Sequence, residues 1–293
     1  MVLILAVVMF VFGLRLVQVQ ALQAGDYRAR AVNEMEKVKT LQAPRGDITD
    51  INGVPFARSV AATSIVVDQT QVTNPAKVAA FVAPILGMKV AEVQESLTGT
   101  RKWNMVARNA KPATWLKLSA AIDQYNSQFK AMSPDRIIGF FPERSYVREY
   151  PSGRLIASLI GFVNHDGVGA TGLESSMNST ISGTDGRYSY ARGLGAEIPG
   201  SQNEIIAAEK GTTIRLTIDR DVQWVASNAI QEAVSKARAS SGTVIVMDPK
   251  TGQILAHATA PTFDPNNTKK VTEAQMRNPS VQDVYEPGST GKV

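Results

Sequence analysis

The sequence contains no cysteine and only two histidines, His165 and His257. The absence of cysteine excludes disulfides, thiolate metal sites and a cysteine nucleophile, and it is compatible with an exported bacterial protein. The two histidines lie in different predicted elements and neither has a second histidine at ligand spacing, so we expect no metal and no cofactor. The number of histidines does not exclude a Ser-His-Asp triad, although the sequence contains no G-x-S-x-G nucleophile elbow.

A large excess of one charge is also missing. The 31 Lys and Arg residues against 26 Asp and Glu residues give a formal net charge of +5. Basic stretches are short and aromatic residues do not interleave with them, so we expect a solvated surface and no nucleic-acid partner. The 44% hydrophobic and 19% charged residues, over 293 positions, are typical of a globular protein large enough for two domains.

The chain opens with fourteen uncharged residues before Arg15. A helix of that length spans about 21 Å, against about 30 Å for the hydrocarbon core of a bilayer. The stretch resembles the apolar part of a signal peptide, but the preceding basic residues and a cleavage site are missing. Because apolar residues continue at helical spacing to Leu22, we expect a membrane helix over residues 1–24 that lacks its first residues. A cleaved signal is the alternative.

Residues 25–205 indicate a juxtamembrane segment followed by a mixed α+β domain. Glycine and Asn-Gly punctuate short β-branched runs over residues 43–72, which predicts hairpins. From Pro75 to about Lys130 the pattern is helical, with a second helix over Thr114–Phe129. Strands return after Ile137, and a short helix follows from residue 154.

Residues 206–293 have a different organisation. A strand runs into "TID", Asp219 is a good helix N-cap, and "TVIVMDPKTGQILAHATA" predicts two strands joined by a turn at Asp248–Gly252. The intervening helix is expected to bury one apolar stripe. The stripe consists of Val222, Val225, Ala226, Ala229, Ile230, Ala233, Val234 and Ala237. We interpret this pattern as the start of a domain and expect the last strand of its sheet to lie beyond this sequence.

The last residues, "YEPGSTGKV", contain an S-x-x-K motif at Ser289 and Lys292. This spacing places a hydroxyl and an amine one turn apart on the same helix face. An amine kept neutral there can take the proton of the serine. Pro287 and Gly288 favour a helix start, whose free N–H groups suit a developing oxyanion. The motif therefore predicts a covalent acyl-transfer site.

Four other short matches precede this motif. A second S-x-x-K at Ser127–Lys130 lies late in a predicted helix, and we interpret it as chance. Penicillin-recognising enzymes combine S-x-x-K with S-x-N and K-T-G motifs. The chain has K-T-G at Lys250–Gly252 and S-x-N at Ser176–Asn178 and Ser201–Asn203. Because they precede Ser289, we interpret all three as structural or chance matches.

The S-x-x-K motif at Ser289 and Lys292 is weak evidence by itself, but it belongs to a series of seven segments that follow one another in a fixed order. They are the apolar N-terminus, "RGDITDING" (Arg45–Gly53), "REYPSGRLIASLIGFV" (Arg148–Val163), "GATGLESSMNSTISGTDG" (Gly169–Gly186), "LTIDRDVQ" (Leu216–Gln223), "VMDPKTGQILAHATAPTFDPN" (Val246–Asn266) and "YEPGSTGKV" (Tyr285–Val293). Together they resemble the class B penicillin-binding proteins, the peptidoglycan D,D-transpeptidases, and are most similar to the cell-division type, FtsI. Ile51 departs from the family, which usually has arginine there, and this puts one contact of the pedestal in doubt.

The resemblance implies an α+β fold with a membrane helix at 1–24, an elongated pedestal of the dimerisation type at 25–205 and a truncated transpeptidase domain at 206–293. It implies that Ser289 attacks the D-Ala–D-Ala carbonyl of a peptidoglycan stem peptide, or a β-lactam ring. Lys292 would be the base and the backbone N–H of Ser289 one oxyanion donor. The S-x-N and K-T-G motifs would follow downstream, so the chain is expected to be an inactive fragment of an enzyme.

The resemblance also implies a single-pass protein of the cell membrane, with most of the chain on the outer side, that acts in septal cell-wall synthesis. Its pedestal would dock a membrane glycan polymerase and other division proteins. An elongation-type transpeptidase and a membrane β-lactam sensor acylated at the same serine remain alternatives, as does a carboxypeptidase or β-lactamase. Sensors typically have several membrane spans and no pedestal, which argues against that class.

Arg45 and Glu174 lie in two of the matched segments, each beside glycines that allow close backbone approach. We expect them to form a partly buried ion pair that joins the hairpin to the G-x-x-G-x-E segment. The alternative is two separate solvated charges.

Overall fold

The structure is a computed structural model in which six isolated residues near the N-terminus and five longer ranges are described. The longer ranges are 36–193, 196–197, 203–269, 271–284 and 286–291. The membrane helix predicted over 1–24 therefore lies outside the described residues, apart from those six. Among the helices that are described, none has the length and apolar character needed to cross a membrane.

The strands and helices of the described residues alternate irregularly along the chain. The strands are β1 (Glu36–Leu41), β2 (Ile48–Thr49), β3 (Pro55–Val67), β4 (Asn104–Ala110), β5 (Phe140–Glu149), β6 (Gly186–Gly193), β7 (Ala196–Glu197), β8 (Asn203–Ile206), β9 (Ile214–Arg215), β10 (Gly242–Met247) and β11 (Ile254–Ala260). The α-helices are α1 (Pro75–Leu86), α2 (Val90–Leu97), α3 (Pro112–Asn126), α4 (Ala157–Ile160), α5 (Gly172–Ser176), α6 (Asn178–Ile181), α7 (Arg220–Ala237), α8 (Glu273–Met276) and α9 (Pro279–Gln282). Turns of 3₁₀-helix lie at Gln69–Gln71, Gly153–Ile156 and Gly288–Gly291. The predicted α+β class is confirmed.

The chain divides into two compact units. One contains the antiparallel sheet in which β6 pairs with β1, β8 and β7. The other begins at Gln42, is interrupted between Thr184 and Glu209, and holds all the remaining elements. The predicted boundary at residue 205 stays a prediction.

The long strand β3 organises the second unit. It pairs in antiparallel fashion with β2, β4 and β5, and β9 joins β2 in parallel. The turn from β2 to β3 is the predicted Asn-Gly turn. Asp50 Oδ1 accepts the backbone N–H groups of Asn52 and Val54 at 2.8 and 2.7 Å, and Gly53 has φ +86°. Only glycine adopts that conformation without strain, so the sequence specifies the turn.

One face of β3 packs against α1, α2 and α3. Ile65 and Val67 are buried there with Val82 and Leu118. The helical pattern predicted from Pro75 to Lys130 was wrong over β4, which interrupts it. The helical propensity of this stretch is overridden by strand pairing, because β4 joins the edge of β3 and buries Val106 in this core.

A second core lies where the ends of the sheet meet the short helices. It contains Phe56, Tyr150 and Ile160 with isoleucines from α6 and from the loop between β9 and α7. Glycines permit the close approach of its segments. A Cβ on Gly46 would lie 2.0 Å from the carbonyl oxygen of Thr212, so no larger residue fits at that position.

The C-terminal elements are α7 and the β10–β11 hairpin, and their predicted order is confirmed. Asp219 caps α7, because its Oδ1 accepts the N–H groups of Asp221 and Val222 at 2.9 and 3.2 Å. The strand before α7 pairs with β2 rather than with this hairpin. The turn at Asp248–Gly252 is confirmed, since the Asp248 carboxylate accepts from Lys250 N and Thr251 Oγ1.

The predicted apolar stripe of α7 was partly wrong. Ala226 and Ile230 are buried against the hairpin, whereas Val225 is 60% exposed. Gln223 and Ser227 occupy the buried face instead. Polar side chains lie there because backbone groups of neighbouring elements face them.

Candidate functional site

The predicted nucleophile lies in a short turn near the C-terminus. Ser289 belongs to the 3₁₀ turn Gly288–Gly291, and it is exposed. Gly288, directly before it, has φ +54°. Lys292 lies outside the described residues, so the roles of Ser289 and Lys292 stay predictions. The exposed position of Ser289 leaves its hydroxyl open to a substrate.

The segment between β11 and Ser289 contains α8 and α9. A polar cluster joins it to the hairpin: His257 Nε2 lies 2.6 Å from Ser280 Oγ, and Ser280 Oγ donates to Asn278 Oδ1 at 2.6 Å. His257 and Asn278 are buried. Burial lowers the pKa of His257 below its ordinary value, and the hydrogen bond that the ring donates to Asn278 opposes that effect only in part. The imidazole is therefore neutral at pH 7.

The side chain of Gln223 ties three elements together. Its Oε1 accepts the backbone N–H of His257 at 2.7 Å, and its Nε2 donates to the carbonyl oxygens of His257 and Leu155 at 3.0 and 2.9 Å. Ser227 Oγ donates to the same Leu155 carbonyl at 3.1 Å. The fully buried amide thus joins α7 and β11 to the 3₁₀ turn that precedes α4. The sequence pattern missed Gln223, although a polar residue inside an apolar stripe was the available signal.

The predicted pair of Arg45 and Glu174 is confirmed. Arg45 Nη2 lies 2.8 Å from Glu174 Oε2, and Arg45 Nε donates to the same oxygen at 3.2 Å. The carboxylate is fully buried and has a second partner that the sequence did not single out. Arg148 Nε donates to Glu174 Oε1 at 2.6 Å. Two guanidinium groups therefore share one buried carboxylate.

Backbone and amide oxygens form a shell of further acceptors around the two arginines, although Arg148 Nη2 is buried without a hydrogen-bond partner. Arg45 Nη1 donates to Asn178 Oδ1 at 2.8 Å and to the carbonyl of Gly167 at 3.1 Å. Arg148 Nη1 donates to the carbonyl of Gly46 at 2.8 Å. These bonds connect the hairpin at 163–169 and helices α5 and α6 to the start of the sheet. The cluster therefore holds these segments of the second unit together.

Three of the four early motif matches have structural roles. Ser127 caps the C-terminus of α3, where its Oγ donates to the carbonyl of Gln124 at 2.7 Å. Lys250–Gly252 forms the turn of the β10–β11 hairpin, and Asn178 belongs to the arginine shell described above. Ser201 of the fourth match lies outside the described residues. Each of the three described matches is thus explained without catalysis.

A sequence model of the penicillin-binding protein dimerisation domain matches residues 40–216, more than half of the chain. The chain belongs to the class B penicillin-binding protein family. A model of the penicillin-binding protein transpeptidase domain matches residues 242–293. Ser289 and the β10–β11 hairpin therefore lie in the part of this penicillin-binding protein that is similar to the transpeptidase domain. The resemblance seen in the seven segments is confirmed at the level of the family.

Known proteins similar to this penicillin-binding protein come from several bacteria. The chain is 32% identical to the penicillin-binding protein PbpB of Mycolicibacterium smegmatis, over 98% of this chain and 46% of that protein. It is 33% identical to the probable peptidoglycan D,D-transpeptidase PbpC of Pseudomonas aeruginosa, over 92% of this chain and 46% of that protein. A crystal structure of a peptidoglycan synthetase from Bifidobacterium adolescentis has 30% identity and a TM-score of 0.57, and the match covers 87% of this chain and 48% of that one. The chain thus spans about half the length of these relatives.

Proposed function

We propose that the protein carrying this chain is a peptidoglycan D,D-transpeptidase of septal cell-wall synthesis that works through an acyl-serine intermediate and is acylated by penicillin. One observation carries the proposal: the match to the transpeptidase domain includes the S-x-x-K motif, with Ser289 exposed in a turn. The relative from Pseudomonas aeruginosa, named a probable peptidoglycan D,D-transpeptidase, supports it.

In the proposed reaction Ser289 Oγ attacks the carbonyl of the D-Ala–D-Ala bond, and Lys292 takes the hydroxyl proton. The terminal D-Ala leaves as the amine, protonated by Lys292, and the stem peptide stays on Ser289 as an ester. An amine of a second stem peptide then attacks the ester, which forms the cross-link and returns the proton to the serine. A β-lactam would acylate the same hydroxyl by opening its ring.

The pedestal supports a role in assembly rather than in chemistry. The buried cluster around Glu174 joins its segments, and the dimerisation-domain match covers it. We propose that this domain docks a membrane glycan polymerase and other division proteins outside the cell membrane, to which a single N-terminal span anchors the protein. An elongation-type role is the second candidate, and depletion phenotypes distinguish the two: filaments for septal synthesis, rounded cells for elongation.

The experiment that tests the nucleophile is covalent labelling of the intact protein with a fluorescent penicillin. Ser289→Ala is expected to abolish labelling without changing the melting temperature, since the side chain is exposed and lies in a short turn. The control is Ser127→Ala, which changes the serine of the other S-x-x-K match and is expected to leave labelling intact. Labelling that survives Ser289→Ala would refute the assignment of the nucleophile, and loss of labelling in the control would show that the assay reports folding.

A further inference from the structure

The polar cluster of His257, Ser280 and Asn278 lies on the face of the hairpin opposite α7. Ala256 and Ala258, the neighbours of His257 along β11, belong to the core formed with α7. Because side chains alternate along a strand, His257 points to the other face, where α9 covers it. His257 is 7% exposed, so it is a buried side chain under the segment that leads to Ser289.

The segment has few other attachments to the fold. Neither α8 nor α9 buries a residue, and Val281 and Val284 are 74% and 98% exposed. Asn278 is the buried residue among those described between Val271 and Gly291. An apolar face therefore does not hold this segment in place. The hydrogen bond between His257 Nε2 and Ser280 Oγ joins it to β11, and Asn278 orients Ser280 by accepting from its Oγ.

Among the described residues of the elements packed around His257, no charged side chain compensates a proton on its ring. Strands β10 and β11 and helices α4 and α9 carry no other titratable or charged residue. The charged groups of the other elements in contact lie on exposed positions: Arg154 in the 3₁₀ turn, Glu273 on α8, and Arg220, Asp221, Glu232 and Lys236 on α7. Arg277 and Asp283, at the two ends of α9, pair with each other. A buried imidazolium would have no counter-ion here, and it gains hydration if the segment opens.

We propose that His257, Ser280 and Asn278 form a latch that positions the segment bearing Ser289, closed over the neutral imidazole and opened by its protonation. The inference rests on the proposed role of Ser289 as the nucleophile. His257 and Ser280 are positioning residues, since they act through the chain that carries Ser289. The direction follows from linkage: burial holds the pKa of His257 below its ordinary value in the closed state, so the open state binds the proton more strongly. The latch is stable above pH 6.5 and loses stability as the pH falls from there through the pKa of the closed state.

The linkage limits how far a change of pH can shift the equilibrium between the closed and the open latch. An open state with an ordinary imidazole pKa of about 6.5, against a closed state that takes up no proton, gives about a tenfold change in the opening equilibrium between pH 7.5 and 5.5. The direct test is hydrogen exchange of a peptide from residues 271–284 in the intact protein, corrected for intrinsic rates. Exchange is expected to rise up to about tenfold in the native protein and to stay constant in His257→Gln. The matched control, His165→Gln, changes an exposed histidine and is expected to behave like the native protein.

A second variant and a second readout separate the possible failures. Ser280→Ala leaves β11 untouched and is expected to raise exchange of the same peptide already at pH 7.5. The rate of acylation by a fluorescent penicillin is expected to fall more steeply below pH 6.5 in the native protein than in His257→Gln. If exchange is independent of pH in the native protein, or responds equally in His257→Gln, the latch is wrong. If exchange responds as expected but Ser289→Ala is still labelled, the latch stands and the proposed nucleophile fails.

Discussion

At the scale of single residues, Glu174 shows how little a distance alone says about the energy of an ion pair. Arg58 and Glu149 form an equally short pair, 2.8 Å, but their side chains are 50% and 45% exposed. Exposed pairs contribute up to about 1 kcal/mol. Glu174 is fully buried between two arginines, so its removal leaves two cations without a counter-charge.

The two glutamates give a matched experiment. We expect Glu174→Gln to lower the free energy of unfolding by about 3–5 kcal/mol, because breaking a buried pair leaves an uncompensated charge. Glu149→Gln is expected to cost less than about 1 kcal/mol. Urea-induced unfolding of the intact protein measures both. Similar costs for the two changes would show that water reaches Arg45 and Arg148.

Part of this cluster was predictable from the sequence. Arg45 and Glu174 each stand beside glycines in matched segments, which indicated a close approach. Arg148 was missed because its place depends on the register of β3 with β5, which sets it opposite Ser59. A register of this kind depends on the whole sheet, so local patterns do not specify it.

At the scale of elements, Gln223 holds α7 against the hairpin, a role that the sequence pattern assigned to apolar residues. The helix contributes few large apolar side chains to its contact with the hairpin, where Ala256, Ala258 and Ala260 are small. Hydrogen bonds from Gln223 to the backbone of His257 and Leu155 complement this modest burial. The helix and its cap were predictable from Asp219, but the buried polar face was not. A polar residue inside the stripe was a local signal, but the sequence nearby does not specify its backbone partner, which is 34 residues away in the chain.

The same substitution at two positions of α7 tests this role. Gln223→Met is expected to lower the free energy of unfolding by about 3 kcal/mol, because it leaves the backbone groups of His257 buried without partners. Gln231→Met changes an exposed glutamine of the same helix and is expected to stay within about 0.5 kcal/mol of the native protein. Thermal or urea unfolding compares them. An effect of Gln223→Met no larger than that of the control would mean that β11 is held by other contacts.

At the scale of the whole molecule, hydrogen bonds join the C-terminal elements to the pedestal. Thr259 Oγ1 donates to Ser158 Oγ at 2.6 Å, and Asn266 exchanges two hydrogen bonds with the backbone of Tyr150 at 3.0 and 2.9 Å. The core between α7 and the hairpin consists largely of alanines, whose burial removes little apolar surface from water. Ordering each residue costs about 1–2 kcal/mol of backbone entropy.

We therefore expect residues 209–293, expressed alone, to show no cooperative unfolding and to be digested rapidly by proteases. Residues 36–218, which retain the two larger cores, are expected to unfold cooperatively. Limited proteolysis and circular dichroism of the two pieces make the comparison. A protease-resistant piece from residues 209–293 would contradict the expected dependence on the pedestal.

The Gln223 amide also determines the direction in which the hairpin sheet can be extended. Both backbone hydrogen-bonding groups of His257 on the outer side of β11 are occupied by one side chain. An incoming strand would have to displace a fully buried glutamine to pair there. Among the described residues, no side chain occupies the backbone groups on the outer side of β10 in this way. Ile245 and Met247 of that strand are exposed. A further strand is therefore expected to pair with β10, and β11 is expected to remain an edge strand of the sheet.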